Sequence, residues 1–178
     1  DQTVLCRRFG TWLAPLQKVE GAKTPDGDSV AMLIWKALKE EGSRAIEEVN
    51  VNIDLIGVGT SAYDSARKMN LRAIPINVAA GTRAMDRTRR LKMRNIRAEG
   101  YWAVREALEL GTLDLPPDQE LIADLTAPRW HLTISGIQIE SKEDIRERLG
   151  RSPDCGDAVM LAMLERRFEE HRAESFQG

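Results

Sequence analysis

Cysteine and histidine are scarce in this chain of 178 residues: Cys6, Cys155, His131 and His171 are all it has. Two cysteines build no disulfide framework, so a reducing, cytoplasmic setting is the expectation. Neither histidine has a Cys or His neighbour at zinc spacing, which argues against a zinc site. No apolar run approaches the roughly 20 residues needed to cross a bilayer. The first residues also lack a charged-then-apolar leader pattern. A phosphate-cradling G-x-x-x-x-G-K-S/T loop is missing too, which excludes a P-loop ATPase from this stretch. What remains, 42% hydrophobic and 30% charged residues, fits one globular domain spanning 1–178 with a substantial core.

The charge is unevenly spread. Residues 81–105 hold eight basic side chains, among them Arg87, Arg89, Arg90, Arg94 and Arg97, against only Asp86 and Glu99. That local balance of +6 leaves −8 for the rest of a chain whose net charge is −2. A basic stripe on an acidic background is the electrostatic footprint of a phosphate-backbone binder, although a solvated charged face gives the same run.

Periodicity organises the chain into a mixed α/β order. Residues 3–9 and 12–19 read as strands joined by Gly10-Thr11 into a hairpin. After a turn-rich stretch at 23–28, residues 29–41 carry apolar positions at helical spacing and stop at Gly42. Strand 49–56, helix 60–68 and strand 73–78 form a β-α-β unit, which demands parallel strands. Residues 81–92 lack a period and are expected to be a mobile basic loop. Helices follow at 95–110 and 118–125, strands at 130–135 and 137–140 around Gly136, and a last helix at 154–171.

Two acids stand out against this pattern. Asp54 lies at the end of an apolar strand just before Gly57-Val58-Gly59, and Asp157 lies in the first turn of an apolar helix, within Ser152-Pro153-Asp154-Cys155-Gly156-Asp157-Ala158. Carboxylates in apolar settings are costly to desolvate unless a cation meets them, and hard divalent cations take carboxylate oxygens. Gly57 to Ala62 also fits the dinucleotide fingerprint G-x-G-x-x-A, but that reading needs an acid at the end of the next strand, where Asn77, Val78 and Ala79 stand instead. The glycines equally serve as a tight strand-to-helix turn. Asp154 and Asp157, three apart, share a helix face. Ser152 or Asp154 also suits a helix cap. Cys155 reads as a small filler.

The acid-glycine element at 53–59, the basic helix start at 95–102 and the run 149–158 together resemble the nuclease domain of tailed-bacteriophage terminase large subunits. The resemblance covers nearly the whole chain, from Asp1 to about Leu164. It implies a ribonuclease-H-like fold, a mixed central sheet flanked by helices on both faces, shared with integrases and Holliday-junction resolvases. It further implies an endonuclease that cuts concatemeric double-stranded DNA through a two-metal site holding Mg²⁺ or Mn²⁺. On that resemblance Asp54 matches the second acid of the site, Asp157 the third, and Asp154 an assisting one. The first acid is expected to end a strand upstream of Asp1, outside the chain together with an N-terminal ATPase domain. Arg87, Arg89, Arg90, Arg94, Arg97 and Lys142 are the candidates for the DNA backbone. The implied partners of the full-length protein are the terminase small subunit and the portal, in the host cytoplasm during viral assembly and away from any membrane. The rival readings are a non-catalytic DNA-gripping module of the same fold and an integrase-like or resolvase-like nuclease.

Overall fold

Pro15 divides the first hairpin. It has no N–H to donate to a ladder, and the structure, a computed structural model that describes residues 2–166 and 168, splits the hairpin there. β1 (Gln2–Leu5) pairs antiparallel with β4 (Gln17–Glu20), while the inner β2 (Arg8–Phe9) and β3 (Trp12–Leu13) pair around Gly10. Leu5 faces Gln17 but Arg8 faces Leu13, so two residues on one side oppose three around Pro15 on the other. This is a bulge, and it gives two short ladders where two long strands were expected.

α1 (Gly27–Glu40) starts in a capping box in which the Asp26 carboxylate accepts from the Ser29 N–H and the Ser29 hydroxyl accepts from the Asp26 N–H. A short α2 (Ser43–Glu48), which the sequence did not announce, precedes β5 (Val51–Asp54). α3 (Gly59–Lys68) then carries the chain to β6 (Ala73–Ile76), parallel to β5 with Asp54 opposite Ile76, as the β-α-β reading required. α4 (Ile96–Glu109) is capped by the Asn95 side chain on the Ala98 N–H, and α5 (Gln119–Thr126) by Asp118. β7 (Trp130–Thr133) and β8 (Gly136–Ile139) form a hairpin. α6 (Lys142–Leu149), also unannounced, leads into α7 (Asp154–Met163). α7 ends at Met163, short of the expected His171: Leu164 is extended and residues 165, 166 and 168 are not helical, while 167 and 169–171 lie outside the described residues.

Among the described residues the strands form four separate pairs. The expected single central sheet therefore appears as fragments: β1 and β5 each pair on one side only. An apolar cavity of about 580 Å³ lies between them, lined by Val4, Leu5, Ile34, Leu38, Ala158 and Leu161 among others. α7 packs on both strands across this gap. Three apolar clusters hold the elements in place. One joins β6, β8, α4 and α7 around Ile76, Tyr101, Ile137 and Met160. The second joins α1, α3 and β5 around Ala31, Ile53 and Ala66. The third gathers Leu13, Val104, Leu121 and Val159.

Candidate active site

Asp54 is the last residue of β5, where the chain must turn at once into α3. A Cβ on Gly59 would stand 1.6 Å from the Asp54 carbonyl oxygen, so glycine is obligatory for that turn. The glycines thus have a structural task, and the turn leaves the Asp54 carboxylate at the strand's end, where it accepts the Ile56 N–H at 3.2 Å. Burial pushes its pKa above the usual carboxylate value, the Asp157 charge adds to this, and the Ile56 N–H, Lys142 and Arg97 oppose it.

Asp157 enters the same space from the first turn of α7. Its Oδ1 accepts from Arg97 Nη1 at 2.8 Å and from the Tyr101 hydroxyl at 2.8 Å; its Oδ2 lies 3.0 Å from Lys142 Nζ. Arg97 and Tyr101 are one turn apart on α4, so a single helix face presents both to one oxygen. Lys142 also binds Asp154 Oδ1 at 3.1 Å, while Asp154 Oδ2 accepts the Gln2 N–H at 2.8 Å. Burial alone would raise the Asp154 pKa, but hydrogen bonds from Ser152 and Gln2 and the Lys142 charge bring it below the usual value. The Lys142 ammonium is opposed by burial and held protonated by Asp157 and Asp154. The site is therefore three carboxylates and two cations, with Asp157 at its centre.

This arrangement turns Arg97, from the basic stripe, and Lys142, the separate candidate for the DNA backbone, toward the acids. Arg97 is largely buried, and its Nε and Nη2 have no hydrogen-bond partner among the described residues. No group of three His, Cys, Asp or Glu positioned as metal ligands occurs among the described residues. The donors suit a hard divalent cation in kind, all being carboxylate oxygens, and the charges that now offset them come from Arg97 and Lys142.

The rest of the basic stripe is ordered differently from the expected mobile loop. Asp86 is buried, and its carboxylate accepts from the Arg90 N–H and Leu91 N–H at 2.7 Å each, and from the Thr88 hydroxyl. These bonds, the Leu91 N–H first, hold the Asp86 pKa below its usual value. The backbone closes the turn with the Asp86 N–H on the Leu91 carbonyl and a bridge between Met85 and Lys92. Arg87, Arg89, Arg90 and Arg94 all project to solvent from this turn and its exit.

Asp124 was missed from the sequence. It is fully buried on α5, and its Oδ2 accepts the N–H groups of Cys155 and Gly156 at 3.0 and 3.3 Å. The α7 N-terminus has no cap of its own, since Pro153 sits there without a side-chain bond, and Asp124 supplies one from another helix. A Cβ on Gly156 would come within 3.0 Å of the Asp124 Cβ, so the small residue permits the approach. Burial raises the Asp124 pKa, and the Arg151 guanidinium, 2.6 Å from its Oδ1, counters it. Asp in the otherwise apolar run Leu121-Ile122-Ala123-Asp124-Leu125 was the available signal. Asp124→Ala strips two buried N–H groups of their acceptor, and an expected destabilisation of about 1–3 kcal/mol is measurable by urea denaturation. Cys155, between them, is a filler as read: burial pushes its thiol up to about 11.

No family model matches the chain, and no curated protein sequence does. Solved structures do. The nuclease domain of the large terminase subunit gp2 of bacterial virus Sf6 superposes with a TM-score of 0.67 at 18% identity, over 91% of this chain and 81% of that one. A mutant form of that domain with manganese and beta-thujaplicinol gives 0.70 at 16% identity, over 94% and 84%. The large terminase nuclease from thermophilic phage G20c with bound cobalt gives 0.55 at 16% identity, over 91% and 79%. The chain has the fold of phage large-terminase nuclease domains.

Proposed function

We propose that the chain is a divalent-metal-dependent DNA endonuclease domain of a viral terminase large subunit. The observation that carries this reading is the convergence of Asp54, from the end of a strand, and Asp157, from a helix start, on a fold whose solved members include domains with manganese or cobalt bound. Asp54 and Asp157 would hold the metal, with Asp154 assisting. A bound pair of such ions supplies an activated water and charge stabilisation at the leaving oxygen. The chain's own groups do the rest. Tyr101 and Arg97 fix the orientation of the Asp157 carboxylate. The Arg97 guanidinium, buried with its Nε and Nη2 unpartnered among the described residues, acts on Asp157 and not on exposed DNA phosphates. Lys142 balances the carboxylates in the absence of metal.

In this reading the cavity between β1 and β5 seats a further strand that ends in the first acid and joins the fragments into one mixed sheet, and residues 1–178 act as a single domain. The substrate is concatemeric double-stranded DNA, the assembly partners are the small subunit and portal, and the setting is the host cytoplasm. No described helix is long and apolar enough to cross a membrane.

One observation favours a second reading, a DNA-gripping module without catalysis: both Asp157 oxygens are already taken by cationic or hydroxyl donors. Supercoiled plasmid incubated with the intact natural polypeptide separates the two. Nicking with Mn²⁺ that EDTA stops supports the nuclease; binding without nicking at any Mn²⁺ concentration supports the grip.

A further inference from the structure

Beyond the acids, the most unusual surface is the tip of the β7–β8 hairpin. Ile134 there is fully exposed, and Leu132 beside it is 61% exposed. Hairpin turns favour Gly, Asn, Asp and Ser, so turn formation does not account for a β-branched apolar residue at this position.

The backbone shows what lies next to the tip. On the side away from β7, β8 is flanked by residues 92–94: the Ile137 N–H donates to the Lys92 carbonyl at 2.7 Å, and the Arg94 N–H to the Ile137 carbonyl at 2.9 Å. Met93 and Ile137 form a parallel bridge, and Met85 bridges Lys92 antiparallel on the far side. The ribbon thus runs β7, β8, 92–94, 84–86. Because 92–94 runs parallel to β8, the segments entering Lys92 and Gly136 emerge at the same end. One is the Asp86-organised turn carrying Arg87, Arg89 and Arg90; the other is the Ile134 tip. The opposite end continues into Asn95–Arg97 and Glu140–Lys142, which reach the acids.

The two ends have complementary tasks on a duplex. Eight residues separate Ile134 from Lys142, at most about 26 Å of extended chain, or roughly eight steps of a strand rising 3.4 Å each. We propose that the turn end of this ribbon is a second DNA-contacting element. Ile134 wedges between stacked base pairs in the minor groove, while Arg87, Arg89 and Arg90 hold the flanking phosphates. Isoleucine and leucine are among the side chains that unstack a step in this way, and the bend produced brings more duplex onto basic surface. Charge selects this occupant: Arg87, Arg89 and Arg90 lie exposed beside the apolar tip, and the carboxylate at the base of their turn, Asp86, is consumed by backbone and hydroxyl donors. The proposal rests on the DNA-cutting function above.

The test uses the intact natural polypeptide in EDTA, so that binding is read without cutting. Duplexes of about 25 base pairs, long enough to span both ends of the ribbon, carry 2-aminopurine at successive steps and a fluorophore pair at their ends. The parent protein is expected to raise 2-aminopurine fluorescence and shorten the end-to-end distance. Ile134→Ser removes both effects and weakens affinity roughly tenfold. Arg87→Gln with Arg89→Gln and Arg90→Gln weakens affinity further but keeps the unstacking signal at saturation. Ile134 makes no core contact, and an unchanged thermal melt confirms that its variant is folded. If Ile134→Ser unstacks and bends DNA as the parent does, or if the parent does neither, the wedge is overturned and the tip is left to a protein partner. Plasmid nicking with Mn²⁺ in parallel keeps the two ideas apart. Its absence in the parent removes the nuclease reading, whereas the fluorescence result in EDTA decides the wedge alone.

Discussion

Asp54→Asn and Asp157→Asn are each expected to lower Mn²⁺-dependent nicking of plasmid by at least about a thousandfold, since on the proposed function each removes a metal ligand and with it several kcal/mol of transition-state stabilisation. Stability separates the two variants. The Asp54 pKa is raised in the folded chain, by burial first and by the Asp157 charge in addition. A raised folded pKa means that folding favours the protonated form; the stabilising contribution is present at low pH and lost as pH rises through the folded value. Without metal at neutral pH, Asp54→Asn should therefore melt at the same temperature as the parent or higher, and the difference should close as the pH falls below the usual carboxylate range. Asp157→Asn should go the other way. The buried Arg97 loses its carboxylate partner while Lys142 keeps Asp154, and a loss of about 1–3 kcal/mol follows. Plasmid nicking and thermal melts over pH 3–8 measure both. Wild-type nicking in the two variants would remove the acids from the reaction.

That difference between the two acids could not be read from the sequence, and the reason is general to this chain. Asp54 and Asp157 stood out as candidates because each is a charge in a run of apolar residues, a local inconsistency that points to a site. The β-α-β unit was legible because alternation and helical spacing are strong there, and α4 because Ile96, Tyr101, Val104 and Leu108 recur at helical spacing before Gly111. Lys142 and Arg97 carry no such local mark. What places them at Asp157 is the junction of β8 with α6 and the packing of α4 on α7, both long-range facts. α2 and α6 were invisible for a related reason. Ser43–Glu48 buries no residue and Lys142–Leu149 buries only Ile145, so neither shows an apolar stripe. The basic turn looked structureless because its order comes from one side chain, Asp86, accepting from the backbone N–H groups of Thr88, Arg90 and Leu91; hydrophobic periodicity cannot report such bonds. The sheet was the largest departure. The expectation of one sheet came from resemblance, and the described strands make four pairs with a cavity between β1 and β5.

Neutralising Arg87, Arg89, Arg90 and Arg94 together is expected to weaken binding to double-stranded DNA by about three orders of magnitude at 0.1 M salt. Each phosphate contact contributes roughly 0.9 to the slope of log affinity against log salt, so four contacts contribute about 3.6 in slope and a similar number of decades between 0.1 M and 1 M. The structure makes this more than a count of charges. Arg87, Arg89 and Arg90 project from a turn already fixed by Asp86, and Arg94 is steadied by the Gln138 side chain at 2.5 Å, so little order has to be gained on binding. Arg97 and Lys142 are left untouched in this variant because they offset Asp157, and changing them would confuse binding with the integrity of the site. The loss should be similar on unrelated sequences, because phosphate contacts carry no base information. Fluorescence anisotropy on several duplexes at a series of salt concentrations measures both magnitude and slope. A loss confined to some sequences would show that these arginines read base edges, and an unchanged slope would show that they never meet the backbone.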